Sequence, residues 1–418
     1  MRGKIYIDCS ITYNVSFVTG IQRVVRNIID IKDIISDELS RDVIPVVFNG
    51  ESYQHLDDYL RSNLEFKVKE GVKGILGSLV KSKRVYNFSK YCYRKLKDIN
   101  LFIRHKRHSL NFNNQNKSLI SFNSGDILLI ADSYYNPDYK NRYFSELIKD
   151  IKKKGVKVML LVYDIIAMTN PEYFDDYMAK ELDEYLKYFL GFSDFLITIS
   201  QSEKAIIEHY LKGLNINKKV SYFYLGSDLE KINDVKEDWS TKTDRFKPYF
   251  LVVGTLEPRK GHEVVLSAFE KLWKEGFQYN LVFAGRVGWK VDSLLERINA
   301  SLYLKKNFYV LNDVSDELLT ALYRNAYACI CATIREGFGL PLVEAIHFDK
   351  PVVSSDIGVA KEVGNGYPVY FKCGDPDDLA KSVLYLTQSG SNSNKANFKP
   401  LSWDESVKML CERLKKWI

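Results

Sequence analysis

The sequence is poor in the residue types that build disulfide scaffolds, metal centres and membrane spans. Six cysteines are scattered at 9, 92, 329, 331, 373 and 411, with no CxxC pair. That spacing excludes a stapled scaffold and leaves reduced, packing thiols. Only Cys329 and Cys331 stand close, two apart, where they share one face of a strand. With six histidines and no HExxH-like cluster, no metal site and no cofactor are expected. No uninterrupted apolar stretch approaches the roughly 18 residues of a membrane span. The richest run, from Val158 to Met168, is broken by Asp164. Met1-Arg2-Gly3-Lys4 leads straight into a short strand candidate, so no signal peptide is expected and the cytoplasm is the expected compartment.

Acids are scarce in one stretch. From Lys67 to Lys117, 14 Lys and Arg stand against Glu70 and Asp98, a local +12 within a net charge of +7. The remainder of the chain is therefore acidic by 5. Residues 65–118 also carry Tyr91, Tyr93, Leu101, Phe102 and Ile103 among the cations. The stretch reads as a partly helical insertion: either a solvated pair of charged helices or an amphipathic surface for the anionic inner face of a membrane.

What is present elsewhere is alternation. At 418 residues two domains are the natural expectation. Strand candidates at 4–9, 43–48, 126–131, 156–163, 195–199 and 221–225 alternate with helix-period segments at 20–35, 142–154, 173–190 and 202–211. Ser202 reads as the capping residue of the last of these. A polar stretch at 226–247 reads as a linker. A second series follows, with strands at 249–254, 280–284, 308–311, 327–332, 351–354 and 369–371. Its helices fall at 261–274, 315–325, 340–348 and 375–386, and a closing amphipathic helix runs over 402–418. The expected fold is α/β: two Rossmann-like domains, 1–225 and 248–401, facing each other across a cleft.

Two motifs in the second half carry chemistry. EGFGLPLVE, from Glu336 to Glu344, runs a glycine-bearing loop into a helix that Pro341 helps to start. Such a helix N-terminus offers free N–H groups and a positive dipole end to phosphate. A carboxylate at each end suits sugar and ribose hydroxyls; the plain alternative is two helix-start acids with glycines serving a turn. GTLEPRKG, from Gly254 to Gly261, places Arg259 and Lys260 where a helix begins at a sheet edge. Cations there suit a diphosphate, and the alternative is an ordinary charged turn. Gly20, in the sequence TGIQR after the first strand, reads as a glycine loop approaching a ligand or as a turn. Asp164 ends an apolar strand, either as a carboxylate facing the cleft or as a polar strand cap.

GTLEPRKG, EGFGLPLVE, YDIIAMTNPEYF and the closing SWDESVKML together resemble the family 4 retaining glycosyltransferases of the GT-B fold, bacterial surface-polysaccharide type. The likeness is nearly continuous over 249–418, looser over 1–30 and 156–230, and absent from 65–118. It implies that Glu336 lies against the donor sugar and that Glu344 binds the nucleotide ribose. It also implies that Arg259 and Lys260 hold the diphosphate beside the backbone of Gly337, Phe338, Gly339 and Leu340. By the same resemblance Gly20 lies over the diphosphate, Asn312 and Val314 border the base, and the final helix crosses back onto the first domain. Two departures stand out: Tyr163 occupies the place of a cleft His, and Thr255 that of an Arg after the strand glycine.

The expected activity is transfer of a hexose, with retention and without metal, from a nucleotide sugar to a glycan hydroxyl of a lipid-linked surface-polysaccharide precursor. Asp164 is the candidate for handling the acceptor hydroxyl. The expected location is peripheral, at the inner face of the plasma membrane, held there by Lys67 to Lys117. Two rivals remain open. One is a nucleotide-sugar epimerase on the same fold, and the other a polyanion-binding protein using the basic segment, although no nucleic-acid motif accompanies it and no nucleic-acid partner is expected.

Overall fold

The computed structural model describes residues 3–14, 20–61, 120–132, 137–140, 142–229, 243–389 and 398–417. The basic stretch from Lys67 to Lys117 and most of the expected linker lie outside them. The described strands form two sheets. The first has seven strands in the order β3-β2-β1-β4-β5-β6-β7: β1 (Ile5–Asp8), β2 (Val43–Phe48), β3 (Tyr53–His55), β4 (Ile127–Ile130), β5 (Lys157–Leu161), β6 (Phe195–Thr198) and β7 (Val220–Tyr222). All pairs are parallel except β2 with β3. The second has six parallel strands in the order β10-β9-β8-β11-β12-β13: β8 (Tyr249–Val253), β9 (Asn280–Ala284), β10 (Phe308–Leu311), β11 (Ala328–Cys331), β12 (Val352–Ser355) and β13 (Val369–Phe371).

Parallel strands covered by helices on both faces need apolar side chains on both, which is why they read as unbroken apolar runs. In β4, Ile127 and Leu129 enter one core while Leu128 and Ile130 enter another. In β8, Leu251 and Phe250 divide in the same way. Cys329 is buried and Cys331 packs against the same core, on one face of β11.

The described structure corrects several expected boundaries. The helix expected at 20–35 is two, Gly20–Asp30 and Lys32–Leu39, broken at Ile31. The cap of the Gln201–Gly213 helix is Ser200, whose hydroxyl accepts from the Glu203 amide, and Ser202 lies inside the first turn. A short 3-10 turn, Pro171–Tyr173, precedes the Asp176–Leu190 helix. The helices Asp292–Ala300 and Gly358–Gly364, and strand β3, are not among the elements named from the sequence.

The closing helix, Trp403–Lys415, opens on a full capping box between Ser402 and Glu405. Trp403 is buried, and its amide donates to Asp228 at 2.6 Å. Farther along, Lys415 pairs with Glu38 at 2.7 Å, and Trp417 stacks on Phe195 of β6 with ring centroids 4.8 Å apart. The helix thus returns to the first sheet.

Candidate active site

In an open parallel sheet, ligands gather beyond the carboxyl ends of the strands where the strand order reverses. In the second sheet that point lies between β8 and β11. The two expected motifs leave these two strands. After β8 comes the turn Pro258–Lys260, then Gly261 and the His262–Lys274 helix. After β11 comes the loop holding Glu336 and Gly337, then the Leu340–His347 helix with Pro341 in its first turn.

The turns bring opposite charges together. Lys260 Nζ lies 2.5 Å from Glu336 Oε2, and Arg259 Nη1 lies 3.4 Å from the same oxygen. Arg259 also donates to the Arg335 carbonyl at 3.0 Å and pairs with Glu257 at 2.8 Å. Burial alone would raise the Glu336 carboxyl, but the ammonium and guanidinium outweigh it and hold it at about 2. Lys260 and Glu336 line an open pocket together with His262, Phe338 and Gly339.

Glycine is required at two loop positions. A Cβ on Gly337 would stand 2.7 Å from the Tyr163 carbonyl oxygen and 3.1 Å from Asp164 Cβ, so the loop touches the segment that follows β5. Gly339 has φ of +97°, left-handed backbone that caps the Leu340–His347 helix. On the other side, Gly20 begins its helix 3.7 Å (from an ideal Cβ) from the Leu340 side chain.

Glu344 is already engaged. It is 2% exposed, its Oε1 accepts from Arg23 at 2.6 Å, and its Oε2 accepts from the Tyr323 hydroxyl at 2.8 Å. Arg23 also reaches Asp316 at 3.0 Å, in the helix that follows Asn312 and Val314. Val314 packs against the core and Asn312 is exposed. Glu344→Gln is expected to keep the Tyr323 contact but lose the Arg23 ion pair, lowering stability by about 1–3 kcal/mol with no ligand present. A melting curve identical to wild type would show that the Arg23 pair contributes nothing.

Tyr163 does not face the cleft. Its ring is buried and its hydroxyl donates to the Ala131 carbonyl at 2.7 Å. The next residue, Asp164, is partly exposed and accepts from the Ile166 amide at 3.1 Å. Its charge helps raise the Arg259 guanidinium, after Glu336 and Glu257 and against burial.

His262 lies fully inside, edge-on to Phe283 with centroids 4.8 Å apart, and neither ring nitrogen has a hydrogen-bond partner among the described residues. Burial, then the Lys260 charge, lowers its pKa to about 3. The folded protein therefore takes up fewer protons than the unfolded one between pH 6.5 and 3, and loses stability as pH falls through that window. His262→Phe is expected to keep the ring contact and escape this loss, its advantage over wild type growing by about 1–2 kcal/mol from pH 7 to pH 5. A gap between the two proteins that stays constant with pH would contradict this.

Sequence reasoning missed several contacts between the two halves. Trp289 stacks on Phe174 at 5.6 Å and donates its indole N–H to the Tyr173 carbonyl at 2.7 Å. Glu362 accepts from the Gln201 and Ser202 amides at 2.6 and 2.8 Å. Glu203, wholly buried, accepts from the Ile165 amide at 3.0 Å and from Arg335 at 3.2 Å. Burial and the Asp164 charge push its carboxyl up to about 7 against the pull of Arg335. The spacing Ser200-x-x-Glu203 was the available signal, since Ser followed three residues later by Glu marks a helix start. Among the described residues no group of His, Cys, Asp or Glu is placed to hold a metal, and no helix is long and apolar enough to cross a membrane.

Residues 235–398 match the family model described as glycosyl transferases group 1. The serotype-specific mannosyltransferase WbdA of Escherichia coli is 33% identical over 317 residues, covering 71% of this chain and 38% of its own length. The chain thus spans about two fifths of that relative. O-antigen chain mannosyltransferase B of Escherichia coli is 30% identical over 267 residues, 61% of this chain and 67% of its own. HepE of Anabaena, solved with UDP and glucose, superposes with a TM-score of 0.60 at 12% identity, over 99% of this chain and 100% of that one. Its likeness is one of fold. With two Rossmann-like sheets and these relatives, the chain belongs to the group 1 glycosyltransferases, the family 4 type, built on the GT-B fold.

Proposed function

We propose that this chain is a retaining hexosyltransferase, working without metal, that moves mannose from a nucleoside diphosphate donor to a hydroxyl of an O-antigen-type glycan. The observation that carries the reading is the convergence of Lys260 and Arg259 on Glu336 at the switch point of the second sheet. A diphosphate entering there meets both cations and the amides of Gly337, Phe338, Gly339 and Leu340, with Gly20 opposite. As the sugar C1–O bond breaks, these groups stabilise the charge of the leaving diphosphate. Glu336, relieved of its cations, faces the donor hexose and its developing oxocarbenium charge. Glu344, released by Arg23 as the donor enters, takes the ribose hydroxyls, Asn312 and Val314 border the base, and Asp164 accepts a hydrogen bond from the attacking acceptor hydroxyl. Mannose is supported by the names of the Escherichia coli relatives.

The acceptor is taken to be lipid-linked, with Lys67 to Lys117 holding the enzyme on anionic lipid at the inner membrane face. The test is a thermal-shift screen against UDP-, GDP- and dTDP-hexoses, followed by transfer and NMR of the product's anomeric centre. An α-linked product from an α-linked nucleoside diphosphate mannose is expected. A β-linked product, or an isomerised donor with no acceptor present, would overturn the reading.

A further inference from the structure

We infer that Glu203 is a positioning residue for sugar transfer, tying the turn that carries Asp164 to the loop that carries Glu336. The inference rests on the reading of Asp164 and Glu336 as the two carboxylates nearest the reacting atoms.

The first turn of the Gln201–Gly213 helix departs from the usual capping arrangement. Ser200 accepts from the Glu203 amide at 3.0 Å, as an N-cap should. In a capping box the Glu side chain would turn back to the N-cap amide. Here it is directed elsewhere: Oε1 holds the Ile165 amide at 3.0 Å, directly after Asp164, and Oε2 holds Arg335 at 3.2 Å, directly before Glu336. The amides of the first two helical residues, Gln201 and Ser202, donate to Glu362, from the other half of the chain.

Arg335 extends the link, since its second Nη donates to the Glu336 carbonyl at 3.3 Å. Ser200 adds a parallel one by donating its hydroxyl to the Gly337 carbonyl at 2.7 Å. The two elements joined this way are already in contact, as an added Cβ on Gly337 would stand 3.1 Å from Asp164 Cβ. One helical turn of the first half therefore grips both carboxylate-bearing segments by their backbones.

A wholly buried carboxylate is costly unless it is paired and hydrogen-bonded, and Glu203 is paired across the cleft by a residue 132 positions away. Reacting groups must be held to a fraction of an ångström, and a displacement of about 1 Å far from the chemistry can cost about 100-fold in rate. Glu203 bonds neither Arg259 nor Lys260 directly, and the Arg335 carbonyl that accepts from Arg259 is not altered when the Glu203 side chain changes, so the expected effect falls on geometry before donor affinity.

Glu203→Gln keeps the side-chain volume and an oxygen for the Ile165 amide but withdraws the charge from Arg335. We expect kcat to fall about 10- to 100-fold with the donor dissociation constant within twofold of wild type. Arg335→Gln should give the same split, and the double variant should be no slower than the worse single one, because one link is cut in each case. Wild-type kcat in either folded single variant would overturn the inference, as would additive losses in the double variant. Equal loosening of donor binding and of kcat would also overturn it, since that marks general damage. Should Glu203→Gln not fold, Arg335→Gln alone decides by the same measures. A wild-type protein that transfers no sugar would instead sink the underlying transferase reading and this inference with it; wild-type transfer with an unaffected Glu203→Gln sinks the inference alone.

Discussion

The Arg259→Ala, Lys260→Ala double variant is expected to bind a nucleoside diphosphate sugar about 10²- to 10⁴-fold more weakly than wild type. Hydrogen bonds to charged groups are worth about 1.5–3 kcal/mol each, so removing two cations from a diphosphate costs about 3–6 kcal/mol. An exposed ion pair such as Lys361 with Asp356, at 2.5 Å, is worth at most about 1 kcal/mol, and Lys361→Ala serves as the control. The same double change strands two acids. Glu336 loses the partners that hold it at about 2, and Glu257, already raised by burial, loses the cations that oppose that rise. In wild type the depressed Glu336 carboxyl contributes stability present above pH 4.5 and lost as pH falls toward 2. The double variant should melt lower at pH 7 and lose that acid-dependent slope. Isothermal titration reads the affinity, and a dissociation constant within twofold of wild type would remove both residues from the diphosphate site.

Glu336→Gln is expected to separate binding from turnover. The change keeps volume and removes charge, so Lys260 and Arg259, now 2.5 and 3.4 Å from the carboxylate, are free to meet the diphosphate undivided. Donor affinity should hold or tighten, while kcat falls about 10²- to 10³-fold, the usual cost of losing one preorganised group that faces developing charge. Single-turnover transfer at saturating donor is the decisive measurement. Wild-type turnover would remove Glu336 from the chemistry. Weakened donor binding with unchanged kcat would make it a ground-state sugar ligand instead.

Much of the fold was legible because its strands are short, apolar and buried on both faces, so β4, β5, β8 and β11 announce themselves as runs. The break between the Gly20–Asp30 and Lys32–Leu39 helices was not legible, because Ile28, Ile31 and Ile35 all face one core and the apolar period carries through it. Strand β3 is a three-residue antiparallel edge with a polar centre, too short to show alternation. Ser200 and Ser202 are both good caps by residue type, and only the Glu three residues after Ser200 favours the one that the structure uses.

The sequence by itself determined the candidate donor site, because each half of it is a local strand–turn–helix unit. Arg259 with Lys260, and Glu336 with Gly337 and Gly339, depend on residues within a few positions, where turn chemistry and helix starts are written. Only the tertiary structure decided how the halves engage. Arg23 with Glu344, Ser200 with Gly337, Glu203 with Arg335, and Trp289 with Phe174 join residues more than a hundred positions apart. No periodicity records such pairs, since each is made when two separately patterned sheets bring their carboxyl ends together. Their charges and rings look, in the sequence, like ordinary surface residues until the second half supplies the partner.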